Sequence, residues 1–181
     1  MKFLIASDLH GDLASCEALI EKFNSEGCER ILFLGDILYH GPRNDLPHSY
    51  NPKGVIALLN SYADKITSVR GNCDAEVDEM VLDFPVLADY ALLSLDGITV
   101  FASHGHHYNT DTPPKLSLGD VMLGGHTHLY GIKEFGNKNL YINPGSVSLP
   151  KGGNPKTYMI YENRSFIIKD FSENVLARIT V

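Results

Sequence analysis

Three short apolar runs without helical periodicity divide the first half of the chain. They cover residues 2–6, 31–34 and 66–69. Runs of this kind are typical of strands that are buried on both faces. The segment after the first run has apolar residues at spacings of three and four between positions 13 and 23, which predicts a helix with Asp12 as N-cap and Gly27 at its end. Alternating strands and helices predict an α/β layer.

Two further helices are predicted in this half. A loop rich in Gly, Pro, Asn and His covers residues 39–51, and Asn51-Pro52 then opens the second helix. The third helix is expected to begin at an Asp74 cap and to end at Pro85. Its apolar positions follow the spacing i, i+3, i+4 and i+7: Val77, Met80, Val81 and Phe84.

After Pro85 the pattern changes to shorter strands and turns. Strands are predicted at 90–95, 98–102, 121–123, 139–142, 157–161 and 165–171, with a loop or short helix at 111–118. The chain is therefore expected to form one domain over residues 1–181, either as two sheets face to face with helices outside or as one mixed sheet covered by helices.

Composition narrows the class of protein. The chain is 44% hydrophobic and 20% charged, which is typical of a globular domain with a real core. No apolar run approaches the roughly 20 residues that span a bilayer, and the apolar start at 1–6 is too short for a signal peptide. The three cysteines form no C-x-x-C pair, which suits a reducing compartment. We therefore expect a cytoplasmic protein without a membrane partner.

The net charge of −7 lies in the first half, where residues 1–96 contain 7 basic and 16 acidic side chains. Nucleic-acid binders concentrate positive charge, so a nucleic-acid partner is disfavoured. A bound divalent ion would reverse the local sign, and a small anionic substrate stays compatible with this charge.

Metal-binding residue types follow five of the predicted strands. The motif Gly125-His126-Thr127-His128 places two imidazoles at i and i+2, which alone would suit one chelated ion or two surface histidines. The carboxyl ends of strands meet in one crevice in α/β folds, so the other candidates are expected beside it. The seven candidate ligands are Asp8, His10, Asp36, Asn72, His104, His126 and His128. Seven donors are too many for one four-coordinate ion and favour two ions about 3.5–4 Å apart that share a carboxylate.

These motifs resemble the calcineurin-like metallophosphoesterase superfamily. The resemblance rests on D-x-H at 8–10, G-D at 35–36, G-N-x-D at 71–74, a later His104 and G-H-x-H at 125–128, in that order. More narrowly, the segments 41–44, 71–74 and 143–155 are similar to those of small bacterial YfcE-type phosphodiesterases. The resemblance implies the metallophosphoesterase fold, a two-sheet β-sandwich flanked by helices.

The resemblance also implies a division of the ligands. Asp8, His10 and His128 would hold one ion, Asn72, His104 and His126 the other, and Asp36 would bridge both. A metal-bridging water or hydroxide would then attack a small phosphodiester. The ions are expected to be two divalent metals, Mn²⁺ first, with Zn²⁺, Fe or Ni²⁺ as alternatives.

The candidate catalytic residues are Asn72, His104, Cys73 and Arg43. Cys73 replaces the histidine of the superfamily's G-N-H-D motif, and a thiol is a poorer proton donor at neutral pH, so we expect a preference for diesters over monoesters. Its alternative role is packing. Arg43 suits bidentate binding of phosphate oxygens, although a solvated loop arginine is nearly as good an interpretation.

Several other polar residues are left with two interpretations. Arg70 either contacts substrate or points away along its strand, and His106 could line the site. The turn at 143–146 either serves the site or is purely structural. Lys151 and Lys156 could serve the substrate or a subunit interface, and solvated lysines are the default interpretation.

Three functions compete. The first is a two-metal phosphodiesterase. The second is a phosphomonoesterase or nuclease, which would use the same site. The third is a non-catalytic scaffold, since a retromer subunit resembles this fold. A homo-oligomer is also an option, because the final β segments offer sheet edges that need covering.

Overall fold

The structure is a computed structural model that describes residues 1–181. Its helices are α1 (Leu13–Ser25), α2 (Pro52–Asn60) and the single turn α3 (Glu76–Glu79), with a 3₁₀ turn at Ala63–Lys65. Its strands are β1 (Phe3–Ala6), β2 (Arg30–Phe33), β3 (Ile66–Ser68), β4 (Tyr90–Leu95), β5 (Ile98–Ser103), β6 (Val121–Leu123), β7 (Gly131–Phe135), β8 (Asn139–Asn143), β9 (Thr157–Glu162), β10 (Ser165–Asp170) and β11 (Val175–Thr180).

The strands form two mixed sheets. The first has the order β11-β10-β9-β1-β2-β3, and the second has the order β4-β5-β6-β8-β7. In the first sheet β1, β2 and β3 are parallel, and in the second β5, β6 and β8 are parallel. Of the two arrangements that the sequence allows, the one with two sheets is therefore confirmed.

Two apolar clusters explain why β1 is buried on both faces. Phe3 and Ile5 belong to the cluster between the sheets, together with residues of β5, β6 and β8. Leu4 and Ala6 belong to the other cluster, in which α1 and α2 cover the first sheet. Side chains alternate along a strand, so a four-residue strand with no polar position can serve both layers.

The predicted ends of α1 and α2 are close to those observed. Gly27 follows α1 with a φ of 66°, the left-handed backbone that glycine adopts most readily. Asn51 caps α2 by accepting a hydrogen bond from the N–H of Gly54 over 3.1 Å. Asp12 occupies the N-cap position of α1 without the expected cap bond, because its carboxylate accepts from Ser15 and Lys156 instead.

The predicted third helix is wrong beyond a single turn. Asp74 does not cap it, because its carboxylate accepts hydrogen bonds from the backbone N–H groups of Asp36, Ile37 and Gly71. Only Glu76–Glu79 is helical. Of the four apolar residues on which the prediction was based, Val77, Met80 and Val81 are exposed. Only Phe84 of the four packs in the core.

Two edge strands, β7 and β11, were not predicted. Each pairs with one neighbour only, β7 with β8 and β11 with β10. The segment 111–118 forms neither helix nor strand. No helix of the structure combines the length and the apolar character that crossing a membrane would require.

Candidate metal centre

The parallel strands of both sheets end at one crevice. Asp8 and His10 follow β1, Asp36 follows β2, and Asn72 follows β3. From the second sheet, His104 follows β5, and His126 and His128 follow β6. The structure thus brings all seven predicted ligand residues together. Five of them are buried: Asp8, His10, Asp36, His104 and His128.

Five of these seven residues have a left-handed backbone. Their φ angles lie between 51° and 67°, at Asp8, His10, Asp36, His126 and His128. Asp and His tolerate this region better than most side chains, although it remains unfavourable for any residue with a Cβ atom. Clustering of such residues is a mark of functional sites, because the surrounding structure must hold them there.

Asp8, His10 and His128 form the first group. His128 Nε2 lies 3.3 Å from Asp8 Oδ1 and 3.3 Å from His10 Nε2. His10 Nε2 lies 3.7 Å from the same Asp8 oxygen. These three side chains point their donor atoms at one place, as a shared ion requires.

Asp36, Asn72 and His104 form the second group. His104 Nε2 lies 3.4 Å from Asp36 Oδ2 and 3.1 Å from Asn72 Oδ1. The same Asp36 oxygen is 3.8 Å from His10 Nε2, so this carboxylate lies between the two groups. The His126 ring packs against that of His104, with centroids 5.1 Å apart.

The hydrogen bonds of the imidazoles show that a cation fits this centre. Nδ1 of His10, His104 and His128 each faces a backbone carbonyl, of Tyr39, Leu34 and Leu149. A carbonyl only accepts, so each Nδ1 donates, and a neutral ring then directs the Nε2 lone pair into the centre. There the lone pairs meet Asp8 Oδ1, which is buried without a hydrogen-bond partner. Acceptors that face one another in this way need a positive charge between them.

The pKa shifts of His104 and Asp36 agree with this need for positive charge. Burial lowers the pKa of His104, but the Asp36 hydrogen bond and the charges of Asp8 and Asp36 outweigh it and raise the pKa to about 9. Burial raises the pKa of Asp36, but the bond to His104, the charge of that residue and the Cys73 N–H together hold it well below its usual range. Without metal, a proton on His104 therefore supplies part of the missing charge.

Residues outside the ligand set fix its backbone. Ser146 and Ser148 each donate from Oγ to the carbonyl of Asp8, both over 2.8 Å. Asn143 donates to the carbonyl of Gly125 over 2.8 Å, next to His126. The turn at 143–146 is therefore structural, and what it holds is the candidate centre.

A polar cavity of about 280 Å³ opens over the centre. Arg43, predicted as a phosphate contact, lines it together with Asn44, Thr127 and Lys151. Sequence reasoning offered a substrate role for Lys151 only as the alternative to a solvated lysine. The signal was its place near the 143–146 turn, since the N–H of Lys151 donates to the carbonyl of His128 over 3.2 Å.

Two other basic residues point elsewhere. Arg70 donates from Nε to the carbonyl of Asp74 over 3.3 Å and lies 3.8 Å from Glu76, so it points away from the cavity. Lys156 binds Asp12 and Ser15 at the start of α1. For Arg70 this is the second of the two interpretations that the sequence left open, whereas the ion pair of Lys156 with Asp12 was not predicted.

Cys73 and His106 border the ligand set. The N–H of Cys73 donates to Asp36 Oδ1 over 2.7 Å, and burial and the nearby charge of Asp36 raise the pKa of its thiol far above the usual range. The thiol is therefore neutral and holds its proton firmly. The ring of His106 lies 5.3 Å from that of His104. Burial and the neighbouring histidines lower the pKa of His106 to about 4.

Comparison with known proteins adds relatives with the same fold. Residues 1–165 match the model of the calcineurin-like phosphoesterase superfamily domain. Phosphodiesterase YfcE of Escherichia coli K12 is 41% identical, over 100% of this chain and 98% of that protein. Phosphodiesterase MJ0936 of Methanocaldococcus jannaschii is 30% identical, over 80% of this chain and 83% of that protein.

Solved structures agree. The structure of YfcE, described as a phosphoesterase from E. coli, superimposes with a TM-score of 0.96 at 41% identity and covers 99% of both chains. Vps29 of Entamoeba histolytica, solved in complex with Zn²⁺, shares the fold alone, with a TM-score of 0.62 at 19% identity over 99% of this chain and 98% of that one. From the ligand geometry, the matching family model and a relative of this identity over its whole length, this chain belongs to the calcineurin-like phosphoesterase superfamily.

Proposed function

We propose that this chain is a binuclear-metal phosphodiesterase that hydrolyses small phosphodiesters. One observation carries the proposal: the Asp36 carboxylate lies between two groups of donor side chains, and three imidazoles of these groups, His10, His104 and His128, are buried with their Nε2 atoms directed into the centre. The full-length similarity to proteins named phosphodiesterase supports the reaction class.

In this proposal Asp8, His10 and His128 hold one ion, Asn72, His104 and His126 hold the other, and Asp36 bridges them. When bound, two divalent ions would supply a water acidic enough to act as nucleophile and would neutralise charge on the phosphoryl oxygens. The donor set contains nitrogen and oxygen, which suits Mn²⁺, Zn²⁺, Fe and Ni²⁺ alike, and of these ions we propose Mn²⁺ as the first to test.

The chain's own residues hold the substrate. Arg43 and Lys151 line the cavity over the centre, where their positive charges face an anionic diester. Asn72 lines the same cavity, and its Oδ1 lies 3.1 Å from His104 Nε2, so in this proposal the two residues position the phosphoryl group beside Asp36. Cys73 keeps its proton, so leaving groups that need no protonation are favoured, and these are the less basic alcohols and phenols.

The remaining predictions from the sequence belong to this proposal. We expect a small phosphodiester as the partner rather than nucleic acid, a cytoplasmic location, and a homo-oligomer as an option for the sheet edges.

The test is a metal titration with turnover. Protein stripped with a chelator is reloaded with Mn²⁺, Zn²⁺, Fe²⁺ or Ni²⁺, and hydrolysis of bis-p-nitrophenyl phosphate and p-nitrophenyl phosphate is measured beside metal content. We expect two ions per chain and faster diester turnover. Asp36→Asn should abolish it, whereas Asp45→Asn, on the exposed loop, should not.

Two results would overturn this assignment. Faster turnover of the monoester would make the chain a phosphomonoesterase. Two ions bound with no turnover under any metal would indicate the non-catalytic scaffold instead.

A further inference from the structure

A second cavity, of about 460 Å³, lies against the metal centre. We call it the Cys73 groove and define it by Tyr39, Tyr50, Ile56, Cys73, Val77 and Val81. Cys73 lines both this groove and the polar cavity over the centre. The carbonyl of Tyr39 holds His10, so two residues join the groove to the ligand set.

The groove has an apolar interior. Its charged lining residue is Asp78, which is buried and accepts a hydrogen bond from the N–H of Ala75 over 2.8 Å. The other named side chains are aromatic, aliphatic or a thiol. A cavity of this size and polarity suits an aryl or short alkyl group.

The groove is held open by the structure around it. Asp74 fixes one end of the segment through the backbone of Asp36, Ile37 and Gly71. Beyond it, the side chain of Asn60 donates to the carbonyl of Val81 over 2.9 Å. In this segment Val77 and Val81 are 60% and 40% exposed, and both line the groove. Apolar side chains exposed side by side in a concave surface mark a binding site.

We propose that the Cys73 groove is a subsite for an apolar ester group of the phosphodiester substrate. The proposal rests on the proposed function. A diester carries two alcohol groups on one phosphorus atom. Because Cys73 lines both cavities, one alcohol group of a phosphate bound above the metal centre can extend over Cys73 toward the groove, while Arg43 and Lys151 line the polar cavity and can contact the phosphate oxygens. The substrate class is then a diester with one aryl or alkyl group.

The test compares two inhibitors that share one phosphate. Dimethyl phosphate and benzyl methyl phosphate compete with bis-p-nitrophenyl phosphate on the Mn²⁺-loaded protein. Either ester group of the second compound can reach the groove, so the result does not depend on which group leaves. We expect the inhibition constant of benzyl methyl phosphate to be lower than that of dimethyl phosphate by a factor of about ten or more. Equal constants would refute the subsite.

Matched variants locate the effect. Val77→Asp puts a charge into the groove and should bring the ratio of the two constants close to one. Met80→Asp adds the same charge on the same segment, but Met80 is 82% exposed and does not line the groove, so it should keep the wild-type ratio. Val81→Asp is the second groove variant if Val77→Asp does not fold. The subsite is wrong if the groove variants keep the ratio.

The subsite and the proposed function can fail independently of each other. If the wild-type protein hydrolyses no diester, the proposed function fails, and both inhibitors are then titrated directly into the metal-loaded protein by calorimetry. An affinity ratio near one in that titration refutes the subsite as well. If light scattering shows that Val77→Asp dissociates an oligomer, the groove is a subunit interface and the subsite is overturned.

Discussion

The carboxylate of Asp74 accepts a hydrogen bond from the backbone N–H of Asp36 over 2.8 Å, and through this bond one acidic residue fixes the backbone of the other. It accepts two more from the N–H groups of Ile37 and Gly71. Burial raises the pKa of Asp74 to about 6, although the bond from Ile37 and the other backbone bonds lower it. The burial of Asp74 is unfavourable in itself, but its hydrogen bonds hold the loop that carries Asp36, the carboxylate proposed to bridge the two ions.

Asp74→Asn tests this role. The amide has one oxygen in place of two, so at least one buried N–H loses its partner, and the free energy of unfolding should fall by about 1–3 kcal/mol. Metal affinity should fall as well, because the Asp36 loop loosens. Urea unfolding and a Mn²⁺ titration measure the two effects. Asp89→Asn, on an exposed side chain, is the control, and equal behaviour of both variants would contradict the role.

His126→Ala and His128→Ala should each weaken a different metal site. His128 Nε2 lies 3.3 Å from Asp8 Oδ1, whereas the His126 ring packs against His104. Each variant is therefore expected to retain about one ion per chain, with a different residual affinity, in a metal analysis after dialysis. Loss of the same single ion from both would show instead that the two imidazoles chelate one ion.

Cys73→His should shift the balance between monoesters and diesters. The thiol holds its proton too firmly to assist a leaving group, and an imidazolium at the same position would provide a general acid, an effect of about 10²–10⁴-fold when fully developed. We expect the ratio of monoester to diester kcat/KM to rise at least tenfold. Cys73→Ser keeps the size without the acid and should keep the ratio. An unchanged ratio in Cys73→His would leave Cys73 a packing residue.

Arg43→Ala should raise KM for bis-p-nitrophenyl phosphate about tenfold, with a smaller effect on kcat, because a charge-assisted contact to the phosphate is lost. Lys151→Ala should act in the same direction, since both residues line the cavity. Lys138→Ala, in the turn between β7 and β8, removes the same charge far along the chain and should leave KM alone. The assignment fails if Arg43→Ala resembles this control.

Glu26 gives the fold a defined acid sensitivity. Burial raises its pKa, but Lys169 and Lys2 outweigh it, so the pKa is lower in the folded protein. A lowered carboxyl pKa stabilises the fold above the unfolded value of about 4.3, and that stability is lost as the pH falls through the folded value.

Glu26→Gln should therefore cost about 1 kcal/mol of unfolding free energy at pH 7. Its difference from the wild type should shrink at acid pH. Urea unfolding across pH 3–7 measures this difference, with the exposed Glu79→Gln as control. A difference that does not change with pH would contradict the ion pair.

The sequence predicted the ligand residues because strand ends obey a simple rule. The buried strands β1, β2 and β3 read as apolar runs, and parallel strands must end at one edge. Asp8, Asp36 and Asn72 follow strands of one sheet, so this rule places them together, whereas His104 follows β5 of the second sheet and reaches them only because the two sheets pack face to face. The distances between them depend on the packing of the two sheets, which no local pattern encodes, and the division into two groups was available only through the resemblance to the superfamily.

The third helix shows the limit of periodicity. The spacing from Val77 to Phe84 is helical. The carboxylate of Asp74, which was expected to cap the helix, instead accepts three hydrogen bonds from backbone N–H groups outside it. A tertiary contact of this kind overrides local propensity. The edge strands β7 and β11 were missed, although β4, which also pairs with a single neighbour, was predicted. In β7 only two of the five residues, Ile132 and Phe135, have apolar side chains, which leaves little pattern to recognise.

The left-handed backbone at Asp8, His10, Asp36, His126 and His128 has a consequence for how this molecule could be changed. Glycine at any of these positions would relieve the backbone strain but would also remove a metal ligand. The backbone would therefore be least strained in a variant that binds no metal. Stability and chemistry are therefore opposed at the same five residues. Selection for thermal stability alone, without selection for turnover, would be expected to erode the metal centre first.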